Sequence, residues 1–300
     1  LVPAVLLWGV WRWADGRHQN GQDAVPAQLE TPIAVPTPEP ALSTGLLSFR
    51  RSAGELSRRL NVTSFETALR PLMTAVNERS CAAVSLDGRL VGASNLDLAV
   101  IPASNMKILV AAVALDALGD SFRYTTKVVG PAPSGGVING DVYLVGGGDP
   151  VLSGEWYSDS GLDRFRAFNI TSLDQLARDV AAAGVTQIEG VVRGDGSRYD
   201  DEFYAPGWGG GVAGLEAGPY DALLVNDSRV LGDDQRGADP NETGAREFAR
   251  ILSEQGITVT GGSGTGVAPA GAPELASIES LPITDVIEEM LTNSDNNTAE

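Results

Sequence analysis

Ile101-Pro102-Ala103-Ser104-Asn105-Met106-Lys107 runs directly into Ile108-Leu109-Val110-Ala111-Ala112-Val113-Ala114-Leu115-Asp116-Ala117-Leu118-Gly119. Pro102 keeps the residue before it extended and marks a helix start, and Gly119 is a helix stop, so the stretch from Ser104 to Leu118 reads as one helix. It is apolar on nearly every side, which predicts a buried central helix. A lone lysine in such a helix is costly unless it is paired, used, or able to snorkel to the surface. Lys107 stands three residues after Ser104, on the same helical face. The chain has only two lysines, Lys107 and Lys127, and arginine supplies the other 19 of its 21 basic residues. Arginine cannot give up its proton at workable pH, whereas a lysine with a depressed pKa serves as a base. The pair therefore points to a serine nucleophile activated by an amine.

Composition argues against the other common nucleophile systems. The one histidine, His18, lies in a polar stretch near the N-terminus, which speaks against a Ser-His-Asp triad within these residues. A single cysteine, Cys81, opens the apolar run Cys81-Ala82-Ala83-Val84-Ser85 and reads as a buried structural thiol. Disulfides within the chain and Cys/His zinc sites are excluded by count, and neither a metal nor a cofactor is expected. The formal net charge of −18 argues against nucleic-acid binding. Gly209 to Gly214 formally matches a dinucleotide fingerprint but follows a Trp-containing loop rather than a strand and opens no helix pattern, so nucleotide binding is not expected.

A second element is Met290-Leu291-Thr292-Asn293-Ser294-Asp295-Asn296-Asn297, which follows the amphipathic run Ile283 to Leu291. It is predicted to leave a helix end, where polar side chains can point into a cleft; an ordinary Asn-rich cap is the competing reading.

Ser-x-x-Lys followed by Ser-Asp-Asn is a pairing found in penicillin-binding proteins and class A β-lactamases. Longer strings narrow the likeness: Pro102-Ala103-Ser104-x-Met106-Lys107, Phe122 to Thr126, Gly140-Asp141-Val142-Tyr143-Leu144-Val145-Gly146-Gly147-Gly148-Asp149-Pro150, Ile188 to Val192 with Asp195, Ala205-Pro206-Gly207-Trp208, and Leu291-x-x-Ser294-Asp295-Asn296. In that order the chain resembles the D-alanyl-D-alanine carboxypeptidase/endopeptidase family, the low-molecular-mass class C penicillin-binding proteins. The resemblance implies an α+β penicillin-binding/β-lactamase-like transpeptidase fold, an antiparallel sheet with helices on both faces, interrupted by a smaller inserted α/β domain. On this reading residues 56–119 and 265–300 belong to the transpeptidase-like domain and 120–264 to the insert. The insert carries its own signals: a hairpin at Asn139-Gly140 between Val137-Ile138 and Asp141 to Val145, a helix over Leu173 to Ala183, a strand over Ile188 to Arg193, a helix over Glu247 to Glu254 and a strand over Ile257 to Thr260. The further all-β module of many relatives is expected to be absent, because Ala222 to Asn226 passes quickly through the acidic loop Leu231 to Asn241 into the Glu247 helix.

The resemblance also implies residue roles. Ser104 attacks the penultimate D-Ala carbonyl of a peptidoglycan stem peptide, and Lys107 is the general base, its pKa lowered by burial and nearby positive charge. Ser294, hydrogen-bonded to Lys107, relays the proton towards the leaving amine, and Asn296 holds the substrate backbone. The Ser104 N–H and a strand N–H meet the oxyanion. β-Lactam inhibitors acylate the same serine. The family's third motif, Lys-Thr-Gly, does not occur in the sequence, so these residues are expected to be a fragment without a complete site. Nor does an acid directly follow Pro206-Gly207-Trp208; Gly209 to Val212 stand there, and Glu216 is the nearest acid.

Leu1 to Val10 is apolar and is followed by Trp11-Arg12-Trp13, too short a stretch to span a bilayer, and residues 1–14 are expected to be part of a membrane anchor or a signal remnant. Residues 15–55, with Pro32, Pro36, Pro38 and Pro40, are expected to be a linker. Together these features imply a bacterial cell-envelope protein, extracytoplasmic and either anchored or secreted. A second reading, from another class, is a non-catalytic cell-wall-binding relative.

Overall fold

A computed structural model describes residues 49–300, with side chains from residue 57 onward. The expectations for residues 1–14 and 15–48 lie outside the described residues. Residues 49–55, expected to belong to the linker, are helical instead. The chain divides into two compact units, Leu1–Ile101 and Pro102–Glu300.

In the first unit helix α1 (Phe49–Ala75) precedes an antiparallel hairpin of β1 (Ala82–Leu86) and β2 (Arg89–Ser94). Asp87-Gly88 makes its two-residue turn with positive φ at both positions, 49° and 76°, the geometry that matches strand twist. A Cβ on Gly92 would stand 3.3 Å from Met73 Sδ and 3.4 Å from Leu69 Cδ1, so α1 lies close on β2. Cys81 corrects its expectation: the thiol is exposed, because it stands just before β1 at the open end of a two-stranded sheet.

The second unit begins with a short 3-10 turn, Ala103–Asn105, that continues as helix α2 (Met106–Leu118). Its main sheet contains β3 (Thr125–Val129), β5 (Val142–Val145), β9 (Val192–Asp195), β11 (Ser263–Thr265) and β12 (Glu274–Glu279), in the order β11-β9-β5-β3-β12. The β11, β9 and β5 strands run parallel, whereas β5-β3 and β3-β12 are antiparallel. Two small parallel sheets accompany it. One joins β4 (Val137–Ile138), β8 (Gln187–Ile188) and β10 (Thr258–Val259), and the other joins β6 (Leu152–Ser153) to β7 (Thr171–Ser172). The expected boundary at 264/265 falls inside β11, and the main sheet runs on through Glu279.

Two helices cover the sheet. α3 (Leu173–Ala182) starts where Ser172 Oγ accepts from the Gln175 N–H at 3.0 Å, and ends before Gly184, whose φ is 86°. α4 (Pro240–Glu254) is longer than its sequence signal because Asp239 caps it and Pro240 occupies the first turn. Leu173, Leu176 and Val180 of α3 and Phe248, Ile251 and Leu252 of α4 bury fully against Val128, Leu144, Ile188 and Val192. Each such side chain contributes about 1.5–3 kcal/mol.

The Asn139-Gly140 hairpin is not formed. β4 joins β8 and β5 joins β3 and β9, so the two flanking segments enter different sheets. Gly140 has a φ of 142°, and its carbonyl lies where a Cβ on Gly190 would stand, 2.2 Å away. The dipeptide serves a close backbone crossing rather than a turn. The single strand expected at Ile188 to Arg193 is divided between β8 and β9 for the same reason. Helix α5 (Ile283–Asn293) then leads to the end of the chain, burying Ile283 and Val286 against Val151. Among the described residues no helix is long and apolar enough to cross a membrane.

Helix α2 departs most from expectation. Only Lys107 and Ala111 are buried, while Ile108, Leu109 and Val113 are about 60 % exposed or more.

Candidate active site

Ser104 sits in the 3-10 turn that feeds α2, so its N–H is one of those at a helix start without a helical acceptor. Ala103, just before it, adopts φ 47°, a left-handed conformation that costs an L-residue about 1–2 kcal/mol. That kink turns the chain from Pro102 into the helix at the serine. One turn on, Lys107 is 6 % exposed. Its Nζ donates to Ser104 Oγ at 3.3 Å and to Asn296 Oδ1 at 2.6 Å. Both acceptors are neutral. Burial pushes the Lys107 ammonium below the ordinary lysine range, against the opposing pull of the Asp295 and Glu300 carboxylates. The expected nearby positive charge has no part in this shift; burial alone drives it.

The second motif is presented by the end of α5. Ser294 takes the left-handed cap conformation, φ 56° and ψ 36°, which turns the chain sharply and directs residues 295–297 back along the helix. The Asp295 N–H donates to the Met290 carbonyl, and Asp295 Oδ1 accepts from the Thr298 N–H at 2.6 Å. Asn296 then faces Lys107 on one side and donates through Nδ2 to the Glu216 carbonyl at 3.1 Å on the other.

Ser104, Ser294 and Asn296 line one cavity of about 270 Å³, whose walls include Asp163, Arg164, Glu216 and Glu289. Ser294 lies in this cavity, but the residue of its loop that holds the Lys107 amine is Asn296. Three of the four candidate residues are thus joined by hydrogen bonds, across a separation of 189 positions between Lys107 and Asn296. Such an arrangement can deprotonate a hydroxyl when the amine is neutral, and can return the proton to a leaving group from the ammonium.

Several participants escape a reading of the sequence. Glu216 contributes through its backbone carbonyl, which no side-chain pattern could reveal. Asp227 and Arg236 line the same cavity and form an ion pair. Neither lies in one of the family's sequence strings; their signal is only the tertiary pairing of Asp227 with Asn297, whose Nδ2 donates to Asp227 Oδ1 at 2.6 Å.

Comparison with known proteins adds to this geometry. The family described as D-Ala-D-Ala carboxypeptidase 3 (S13) matches residues 83–231 and 223–300. A carboxypeptidase of Mycobacterium tuberculosis, Rv3627c, is 34% identical over 212 residues, 68% of this chain and 42% of its own length. Carboxypeptidase DacB of Mycolicibacterium smegmatis is 28% identical over 296 residues, 95% of this chain and 58% of its own length. The chain therefore spans about half the length of these curated relatives. Among solved structures, penicillin binding protein 4 (dacB) from Haemophilus influenzae is similar with a TM-score of 0.58 at 17% identity, covering 77% of this chain and 63% of that one. At that identity the likeness speaks to the fold, which is the α+β fold of the penicillin-binding proteins.

Proposed function

The chain belongs to the D-Ala-D-Ala carboxypeptidase 3 (S13) family, and on that premise we propose that the protein is a serine-type D-Ala-D-Ala carboxypeptidase/endopeptidase acting on peptidoglycan stem peptides. The observation that carries the reading is the contact of a buried Lys107 amine, its proton affinity lowered by burial, with Ser104 Oγ at 3.3 Å. Neutral Lys107 takes the hydroxyl proton as Ser104 Oγ adds to the carbonyl of the penultimate D-Ala. The Ser104 N–H, at a helix start, faces the oxygen on which charge develops. Collapse of the tetrahedral adduct expels the terminal D-Ala amine, which receives the proton from the Lys107 ammonium by way of Ser294. Water then hydrolyses the acyl-enzyme, with the same groups moving the proton in reverse. Asn296 serves twice, as acceptor for Lys107 and as a side-chain amide for the substrate backbone.

The same chemistry makes Ser104 a target for β-lactam inhibitors, which present an acyl-D-Ala-D-Ala-like amide. The reading places the protein outside the cytoplasm, at the cell wall where its substrate lies. In domain terms it places residues 56–119 and the end of the chain in the transpeptidase-like part. The insert then extends from about residue 120 to Glu279, the last residue of the sheet that β3 begins. The test is covalent labelling of the full-length protein by a fluorescent penicillin, beside Ser104→Ala and Lys107→Ala. Labelling lost in both variants, followed by D-Ala release from a stem pentapeptide, supports the proposal. A folded, full-length protein that takes no label sinks it.

A further inference from the structure

One wall of the cavity includes a segment whose backbone is unusual and whose side chains the proposed reaction does not use. Asn226, Asp227 and Ser228 are three consecutive non-glycine residues in the left-handed region, with φ of 51°, 51° and 59°. Such runs are disfavoured for L-residues and persist only where the surroundings impose them. Here they do. Asn226 Oδ1 accepts from the Gly154 N–H at 2.8 Å, and Ser228 Oγ donates to the Pro219 carbonyl at 2.9 Å, so both flanks are pinned. The segment between them presents Asp227 to two loops of the site.

Towards the second motif, Asp227 Oδ1 accepts from Asn297 Nδ2 at 2.6 Å. On its other side, Asp227 Oδ2 accepts from Arg236 Nε at 2.7 Å. Arg236 Nη1 in turn donates to the Gly214 and Leu215 carbonyls, at 3.2 and 3.4 Å. The next carbonyl along, that of Glu216, is the one that Asn296 Nδ2 reaches. The contacts therefore close into a ring: Asn296, the 214–216 loop, Arg236, Asp227, Asn297 and back to Asn296. Packing gives the ring no slack. A Cβ on Gly218 would stand 2.6 Å from Asp227 Oδ1 and 2.8 Å from Arg236 Cδ.

We infer that Asp227 is a positioning residue, which with Arg236 locks the 214–216 loop to the second motif and so holds the Asn296 amide against Lys107. It touches neither the serine nor the lysine; it acts through Asn296, whose Oδ1 is the shorter of the two contacts of the Lys107 amine. Two independent anchors, one on each side of Asn296, leave its amide with a single orientation: oxygen to Lys107, nitrogen to the Glu216 carbonyl. Released from the ring, the amide can turn, and Lys107 loses the acceptor that aims it at Ser104. This inference rests on the proposed function and deepens it.

The test measures the acylation rate constant of the full-length protein with a fluorescent penicillin, in a cycle of Asp227→Ala, Asn296→Ala and the double variant. Asp227→Ala is expected to slow acylation about tenfold or more, since displacements of the order of an ångström cost up to about a hundredfold. Because Asp227 acts through Asn296, the double variant is expected to be no slower than Asn296→Ala alone. Arg236→Lys, which keeps the charge but not the forked reach to Asp227 and the loop carbonyls, is expected to show a smaller loss with the same dependence on Asn296. Should Asp227→Ala fail to fold, the Arg236→Lys cycle decides the question. Acylation of Asp227→Ala at the wild-type rate overturns the inference. So does a double variant whose losses multiply, which is the signature of a merely structural residue. A wild-type protein that takes no label fails the functional reading itself and is distinguishable from either result.

Discussion

Helices α2 and α4 each bury one ionisable side chain, and the two are held in opposite ways. Glu247 of α4 is fully buried and completely partnered. Its oxygens accept from Trp156 Nε1 at 2.6 Å, from Arg250 Nη2 and Nε at 2.8 and 2.9 Å, and from the Leu231 N–H at 3.3 Å. Lys107 of α2 is nearly as buried but meets only two neutral oxygens, and burial lowers its proton affinity. A buried charge matched by a counter-charge and a full set of donors is structural. One left among neutral partners, beside a nucleophile, is poised to exchange its proton. The helices differ in the same sense. α4 has a clear apolar face and is capped by Asp239, whereas α2 has no side-chain cap and follows directly on the turn that carries Ser104.

The sharpest way to break this comparison is to remove each charge. Lys107→Ala is expected to slow acylation by about 10²–10⁴-fold, the range for loss of a general base, and Lys107→Arg by a similar factor because arginine keeps its proton. Stopped-flow labelling with a fluorescent penicillin measures it. A Lys107→Arg protein that acylates at the wild-type rate would place the base elsewhere. Glu247→Ala is expected to leave the acylation rate of the folded protein unchanged while costing about 1–3 kcal/mol of stability, since Trp156 Nε1 and the Leu231 N–H lose their acceptor while Arg250 keeps Glu254. Lys107→Met is expected to do the reverse. A depressed lysine pKa means that the unfolded chain binds more protons between the folded and the unfolded pKa, so stability is lost as pH falls through that window and the loss is complete below the folded pKa. Its removal should raise the urea midpoint at pH 7, and a lowered midpoint would show that Lys107 is a structural cation after all.

Two smaller effects sharpen the contrast. Asp239 accepts from the Asn241 and Glu242 N–H groups at 2.8 and 3.2 Å, so Asp239→Ala is expected to cost about 1 kcal/mol, whereas Asn105→Ala at the uncapped end of α2 should show no capping loss. Equal losses at the two sites would contradict the capping geometry. Finally, Asp295 raises the proton affinity of Lys107. Asp295→Asn should therefore shift the rise of acylation with pH to lower pH, because the amine becomes neutral earlier. A pH profile of the acylation rate reads this, and a shift to higher pH would reverse the assigned electrostatics.

Much of the site is legible along the chain. A lysine three residues after a serine, in a chain that otherwise writes its basic residues almost wholly as arginine, identifies both partners without any geometry. Asn296 is legible by resemblance, although the resemblance gives the contact with Lys107 to Ser294. That difference is one of backbone conformation: the left-handed turn at Ser294 ends the helix and brings the side chain two residues on to the amine. The helices α3 and α5 follow from periodicity and from stops such as Gly184. The strands do not follow so well, because two-residue strands such as β4 and β8 carry too little periodicity to reveal which sheet they enter. Asn139-Gly140 has the composition of a hairpin turn but a different task, since Gly140 crosses Gly190, about fifty positions away in sequence.

What the sequence by itself determined is local: that a lysine stands three residues after a serine in a chain otherwise basic through arginine, that one histidine and one cysteine occur in it, and about where the helices next to Ser104 and Ser294 begin and end. These are properties of residue type and local spacing, which the chain states directly. Only the tertiary structure decided that α2 buries its lysine while exposing many of its aliphatic side chains, that Cys81 is exposed, and that Asp227 and Arg236 brace the loop beside Asn296. Those outcomes depend on which surfaces meet, and a helix apolar all round has no preferred face to announce it. They depend equally on backbone carbonyls such as that of Glu216, which every residue possesses and no sequence distinguishes.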